Sequence, residues 1–394
     1  MPIPKGNAAV LMFLRLGLVG VFLVSVAQYY RPGTGFTELI FFPENSHSWE
    51  LPAVRETPHY HHPGDHAYDG QFYAQLAVDP FLRTPAIDMA LDLPPYRARR
   101  ILFSWTASIL GLGRPYWVLQ AYALQNVICW LILAWWLSRR LPGDDVKALL
   151  VWAGCLFTHG LLASVRMALI DGPSLLLIAA AVSAAERGRT WGSAVLLGLG
   201  GLGRETNLLA AVALPWRWQW TRWQWTRSQV LRRLGWVVII ALPTLLWLDY
   251  LRSIYRSLLL YRVDRMAAPL VAYLHRWPVV IGQLGEGGWA SPARFSLLVL
   301  VGLTVQAIYL VWRQDWRSPW WRVGFAYVFL MLVIDRAVWE GYPGAATRVL
   351  LPMTFAFNLL LPSGKAFWPL WIAGNLAVVA GIAEFHVPWI WPLL

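Results

Sequence analysis

Apolar stretches close to bilayer length recur along this chain, near residues 9–29, 115–137, 146–164, 168–185, 234–250, 293–312, 322–338, 348–361 and 367–385. Lipid offers the backbone no hydrogen bonds, so such a stretch crosses as a helix of roughly 20 residues. The runs are continuous and do not alternate every second residue, which argues against a barrel. Of the 394 residues, 58% are hydrophobic and 14% charged, where a soluble domain carries roughly a quarter charged. The expected fold is an all-α polytopic membrane protein, one membrane domain over 1–394. Residues 10–27, ending in Ser25-Val26-Ala27, also read as a signal peptide. An uncleaved first helix is preferred, because many membrane helices follow.

Two regions depart from simple spans. Residues 30–114 are polar and rich in Pro, Gly and His, too long for a connector and expected to fold at the membrane surface. Its end, Tyr96 to Trp105, is expected to be an amphipathic interfacial helix. Within a helical core at 115–250, residues 191–216 place Arg204 and Glu205 in the middle of apolar sequence. Two short helices meeting at 203–206, a broken hairpin, remove that conflict, since broken backbone is tolerated where it is buried or lines a wet cavity. The total is about 11 transmembrane or half-spanning helices. A basic loop at 251–292 and C-terminal helices at 293–394 complete the chain.

Charge sets the orientation. The net charge is +12, read as topology and anionic-lipid contact, with no nucleic acid as partner. By the positive-inside rule, 139–147, 186–190, 217–233, 313–322 and 363–366 lie in the cytoplasm. The opposite face then holds 30–114, 165–167, 203–206, 251–292 and 339–347, with a cytoplasmic N-terminus. The tandem Arg217-Trp218-Gln219-Trp220-Thr221 and Arg222-Trp223-Gln224-Trp225-Thr226 reads as an interfacial anchor. The 26 Trp and 15 Tyr fit aromatic belts. Cys129 and Cys155 fall in apolar helices and imply no disulfide framework.

This orientation gathers scattered charges on the outer face: Asp69, Arg100, Arg166, Asp171, Arg204, Glu205 and Arg348. Charges at membrane depth are paired or functional. The bland reading pairs Arg166 with Asp171 and Arg204 with Glu205. Convergence of carboxylates and several guanidiniums on one side instead suits phosphate chemistry with a base.

Tyr68-Asp69-Gly70-Gln71-Phe72-Tyr73, in the first outer loop, resembles the aspartate motif of the GT-C superfamily of integral membrane glycosyltransferases. Leu91-Asp92-Leu93-Pro94-Pro95-Tyr96-Arg97 with Arg100, Gly203-Arg204-Glu205-Thr206, and Arg348 with Pro352 resemble bacterial members. The resemblance implies a GT-C-like bundle in a bacterial inner membrane. It also implies a polyprenyl-phosphate-linked sugar as donor and inverting transfer on the extracytoplasmic face. No large soluble domain follows the last helix, which points to a single-sugar donor and a lipid-linked or glycan acceptor close to the membrane.

The chemistry stands beside the resemblance. An acceptor hydroxyl needs a carboxylate to take its proton, and a phosphate leaving group needs cations. Asp69 is the expected base, with Arg204, Arg348 and Arg100 on phosphate. Glu205, Asp171 and Arg166 support these groups or bind sugar hydroxyls, and Tyr68, Gln71 and Tyr73 shape the acceptor site; Phe72 and Tyr73 equally suit packing. Asp65 is the alternative base. His59-Tyr60-His61-His62-Pro63-Gly64-Asp65-His66 is dense in metal-ligand types but matches no zinc signature. No metal or other cofactor is expected to be required, and a divalent ion is the less favoured alternative. Phosphate-loop, zinc-protease and Gly-x-Ser-x-Gly patterns are missing. Gly198 to Gly203 reads as a packing or hinge signal. The rival functions are a transporter or flippase of polyprenyl-linked or anionic substrates, which the broken hairpin suits, and a non-catalytic scaffold.

Overall fold

A computed structural model describes residues 5–65, 67–143, 145–216, 226–255, 266–285, 291–340 and 345–386. Nearly all of the tandem repeat, His66, and Arg256, Arg262, Asp264, Arg265 and Glu286 of the basic loop lie outside the described residues. Of the described residues, 74% are helical and almost none lie in sheet. Ala8–Ala27, Pro115–Arg140, Arg227–Ile254 and Pro292–Arg313 are each long and apolar enough to cross a membrane. Two bent pairs, Val146–Leu156 with His159–Arg166 at 47° and Phe367–Gly374 with Ala377–Glu384 at 42°, bring the number to six if each is one span. The fold is that of a multi-pass membrane protein.

The sequence suggested more spans than this because apolarity does not register where the backbone breaks. Thr158 is extended (φ −64°, ψ 144°) and splits 146–164. Thr190–Gly203 and Pro319–Val333 are apolar but short. Local chemistry starts the longer helices: Pro115 occupies the first turn of Pro115–Arg140, where its missing N–H costs nothing. The Thr226 hydroxyl caps Arg227–Ile254 by accepting from the Gln229 N–H. Only 22% of the apolar window in Arg227–Ile254 is buried; Val237, Val238, Leu245 and Leu246 are exposed, the surface a lipid-facing helix presents.

Asp171–Glu186 packs along Thr190–Gly203, which packs along Arg227–Ile254. A Cβ at Gly198 would overlap the Ile239 carbonyl oxygen, so this glycine permits the close crossing. Basic turns meet at one end of the bundle. Arg140 forks onto Glu186 at 2.6 and 2.7 Å, Arg15 donates to the Pro142 carbonyl at 3.0 Å, and Lys147 donates to the Ser363 carbonyl. Arg322 donates to the carbonyls of Val212 and Ala213, each at 2.7 Å.

Residues 30–114 build a core of their own. Leu39, Ile40, Phe42, Leu51, Val54, Tyr73 and Leu76 bury against Val118, Leu119 and Tyr122, and against Trp247 and Leu251. Phe42–Pro43 pairs in parallel with His61–His62. Tyr96 to Trp105 is not one interfacial helix. It divides into Pro94–Ala98 and the start of Leu102–Leu110. Phe103, Ser104 and Ala107 are buried, and the Ser104 hydroxyl donates to the Tyr73 carbonyl at 2.8 Å. Its apolar face meets protein, and only the tip at Ile109, Leu110 and Leu112 stays exposed. Nor do the tryptophans all serve as belts: Trp130, Trp152, Trp236, Trp320 and Trp321 are fully buried.

Candidate functional site

Two close backbone approaches and one helix break assemble the site. Asp69 precedes the helix Gly70–Val78, and a Cβ on Gly70 would overlap the Met167 carbonyl oxygen and meet that of Ile40 at 3.0 Å. Only glycine lets this helix start touch the turn at 167–170, which leads into Asp171. That turn is clamped: Asn126 donates to the Leu169 carbonyl at 2.7 Å, Ser164 donates to Asn126 Oδ1 at 2.9 Å, and the Gly172 N–H donates to the Ser164 hydroxyl at 2.8 Å. A Cβ on Gly160 would overlap the Thr347 carbonyl, which brings Arg348 against the same region. Arg204 is the extended residue (φ −164°, ψ 134°) between Thr190–Gly203 and the 3-10 helix Glu205–Ala213.

These elements enclose a cavity of about 400 Å³, within the usual range for small-molecule sites. Tyr68, Asp69, Tyr73, Asp92, Tyr96, Arg97, Arg100, Asp171, Arg204 and Arg348 line its polar side. Met266, Leu330, Ile334, Ala337 and Val338 line an apolar side.

Asp69 stands where an N-cap residue would, yet its side chain makes no capping bond. Its Oδ1 instead accepts from Arg97 Nη2 at 2.8 Å. Arg97 also forks onto Asp92, Nε to Oδ1 at 2.8 Å and Nη2 to Oδ2 at 2.7 Å, over the Phe72 ring at 4.7 Å. Burial works to raise the Asp69 pKa, but the guanidiniums of Arg97 and Arg348 outweigh it and hold the carboxyl below its ordinary value. Arg100 donates to Glu205 Oε2 at 3.0 Å, to the Tyr96 hydroxyl at 2.9 Å and to the Tyr73 hydroxyl at 3.2 Å. Asp171, 2% exposed at its side chain, holds two cations: Arg204 on Oδ1 and Arg348 Nη1 on Oδ2 at 3.4 Å. Arg348 Nη2 donates to the Tyr68 hydroxyl at 2.8 Å. Burial pushes the Tyr68 phenol up, so it remains a neutral hydroxyl.

The structure therefore brings Asp69, Arg100, Asp171, Arg204, Arg348, Tyr68 and Tyr73 to one cavity, with Glu205 joined to it through Arg100. Neither local ion pair forms. Arg204 pairs with Asp171 rather than Glu205, because the break at 204 turns its side chain toward the neighbouring helix start. Arg166 does not reach Asp171; its guanidinium lies over the rings of Tyr29 at 4.2 Å and Phe41 at 4.5 Å. Gln71 is 1% exposed and does not line the cavity, since it falls on the packed face of Gly70–Val78. Asp65 is exposed, accepts from Asn45 and does not line the cavity. Arg97, Asp92 and Tyr96 were missed as site residues. Their signal was present in Asp92 to Arg97, where a carboxylate and a guanidinium flank the helix-starting Pro94 and Pro95.

Comparison with protein-family models, with curated proteins and with solved structures found no match.

The Gly70 contact makes a separable prediction. Gly70→Ala forces the helix start off the 167–170 turn and should cost roughly 1–3 kcal/mol, the usual penalty of overpacking. A lowered thermal midpoint in detergent is expected. An unchanged midpoint would mean that this contact does not fix the distance between Asp69 and Asp171.

Proposed function

We propose that the chain is an inverting glycosyltransferase of the GT-C type, moving a single sugar from a polyprenyl-phosphate donor to a membrane-proximal lipid-linked or glycan acceptor. One observation carries this reading: a carboxylate with an uncapped oxygen and two guanidiniums on a shared aspartate face the same cavity, whose remaining wall is apolar. A sugar phosphate with a lipid tail presents the matching chemistry. Arg348 and Arg204 would meet the phosphate, and the wall of Leu330, Ile334 and Val338 the first isoprenoid carbons. The acceptor O–H gives its proton to Asp69 as its oxygen attacks the anomeric carbon. The bond from that carbon to the phosphate oxygen breaks, and polyprenyl phosphate leaves with the electron pair. No covalent sugar–enzyme intermediate forms, so the configuration inverts. Arg97 positions Asp69, and Arg100 is occupied by Glu205 and two tyrosines, which suits it to orientation.

The proposed placement is a bacterial inner membrane, with about 11 spanning or half-spanning helices and the cavity on the extracytoplasmic face. The basic turns gathered at the other end by Arg15, Arg140, Lys147 and Arg322 support that orientation.

The break at Arg204 favours the second reading, a transporter, because discontinuous helices are common at transport sites. The two separate in one experiment. The native chain in nanodiscs should release polyprenyl phosphate from one member of a panel of polyprenyl-phosphate sugars when membrane extract supplies acceptors. Movement of an intact donor across liposomes, with no release from any member, would establish transport instead.

A further inference from the structure

Outside the cavity, the segment 30–114 buries a second cluster of ionisable groups. Glu50 is fully buried at its side chain and sits among three imidazoles. Its Oε1 lies 2.9 Å from His61 Nε2 and 3.5 Å from His59 Nε2, and its Oε2 lies 3.3 Å from His47 Nδ1. The ligand atoms of His47, Glu50 and His61 fall within 4.8 Å of one another.

His59 supplies the independent observation. Its side chain is 1% exposed. Its Nδ1 lies 2.7 Å from the Thr57 carbonyl oxygen, a partner that only accepts, so Nδ1 donates to it. Its Nε2 is buried without a hydrogen-bond partner and lies 3.5 Å from Glu50 Oε1. An imidazole whose other nitrogen is fixed by a backbone carbonyl is the usual arrangement of a metal-ligating histidine.

We propose that His47, Glu50, His59 and His61 hold a divalent transition-metal ion of the zinc class. A tetrahedral zinc ion with bonds of about 2.0–2.1 Å sets its ligand atoms roughly 3.3 Å apart. From Glu50 Oε1 the Nε2 atoms of His61 and His59 lie at 2.9 and 3.5 Å, on either side of that value, while His47 Nδ1 lies 3.3 Å from Oε2. His47, 63% exposed, is the ligand able to swing inward. Three imidazoles and one carboxylate favour zinc over magnesium or calcium, which take oxygen sets. The Ser46 hydroxyl donates to Glu50 Oε1 and orients it.

None of the four residues lines the cavity, so the ion is structural. It ties 47–61 together beside the helix of Asp69: the Leu51 N–H donates to Gln75 Oε1 at 2.8 Å, and Gln75 lies in Gly70–Val78.

The test uses the untagged full chain in detergent. Elemental analysis should find one zinc per chain; stripping with a chelator should lower the thermal midpoint, and zinc alone should restore it. Cobalt in place of zinc should give the intense visible absorption of a tetrahedral site. His59→Ala and Glu50→Gln should each lower metal occupancy at least tenfold. If those variants fail to fold, the cobalt spectrum and the chelator response of the native chain decide. Less than about a tenth of an equivalent of zinc or cobalt on the native chain, with an unmoved midpoint, overturns the proposal. So does full occupancy in a folded His59→Ala.

Discussion

Asp69→Asn should lower the rate of polyprenyl-phosphate release by roughly 10²–10⁴, the usual contribution of a positioned general base, without unfolding the protein. Asparagine keeps an oxygen to accept from Arg97 Nη2, so the change removes proton-accepting power and little else. The pH dependence of the native chain follows from the same geometry. Burial alone would raise the Asp69 pKa, but Arg97 and Arg348 pull it below its ordinary value. The ionised, proton-accepting form is therefore present above the lowered pKa and is lost only as pH falls through it. The acid limb of the rate profile should lie below about pH 4, the ordinary value for an aspartate. A folded Asp69→Asn with native turnover would remove Asp69 from the chemistry. An acid limb near neutrality would assign the base to a different group.

Asp171→Ala should be the most destabilising single change at the site, by roughly 3–5 kcal/mol, because it strands buried cations. Asp171 holds both Arg204 and Arg348, whose side chains are 14% and 8% exposed. No other carboxylate among the described residues forms an ion pair with either. Such a loss is a large part of a typical folding free energy of about 5–15 kcal/mol. Thermal unfolding in detergent should show it directly. Adding Arg348→Leu to Asp171→Ala should recover part of the loss, since one stranded charge is then gone. A single variant as stable as the native chain would show that solvent in the cavity, rather than Asp171, balances the two guanidiniums.

The membrane fold was legible because its cause is local. Each long apolar run must satisfy its own backbone, and Pro115, Thr226 and the basic turns mark where helices start and stop. The break at 203–206 was legible for the same reason, since Arg204 and Glu205 interrupt an apolar run. The membership of the cavity could be read in outline, as charges on one face. Which charge meets which could not. Asp69 finds Arg97 28 residues away, Arg100 finds Glu205 105 residues away, and Arg348 finds Asp171 177 residues away. Sequence neighbours suggested Arg166 with Asp171 and Arg204 with Glu205, but those residues leave their backbones in different directions.

What the sequence by itself determined is the solvent this chain folds in, the helical form that follows, and the residue types available for chemistry. Periodicity and composition act over a turn or a span, and both are written along the chain. The tertiary structure alone decided the ion-pair partners, the burial of Trp130 and Trp320 and the meeting of His59 with Glu50. It also decided the close approach of Gly70 to the 167–170 turn. Except for His59 and Glu50, which a single loop brings together, each of these depends on distances between segments far apart in sequence, set by packing that no local pattern encodes.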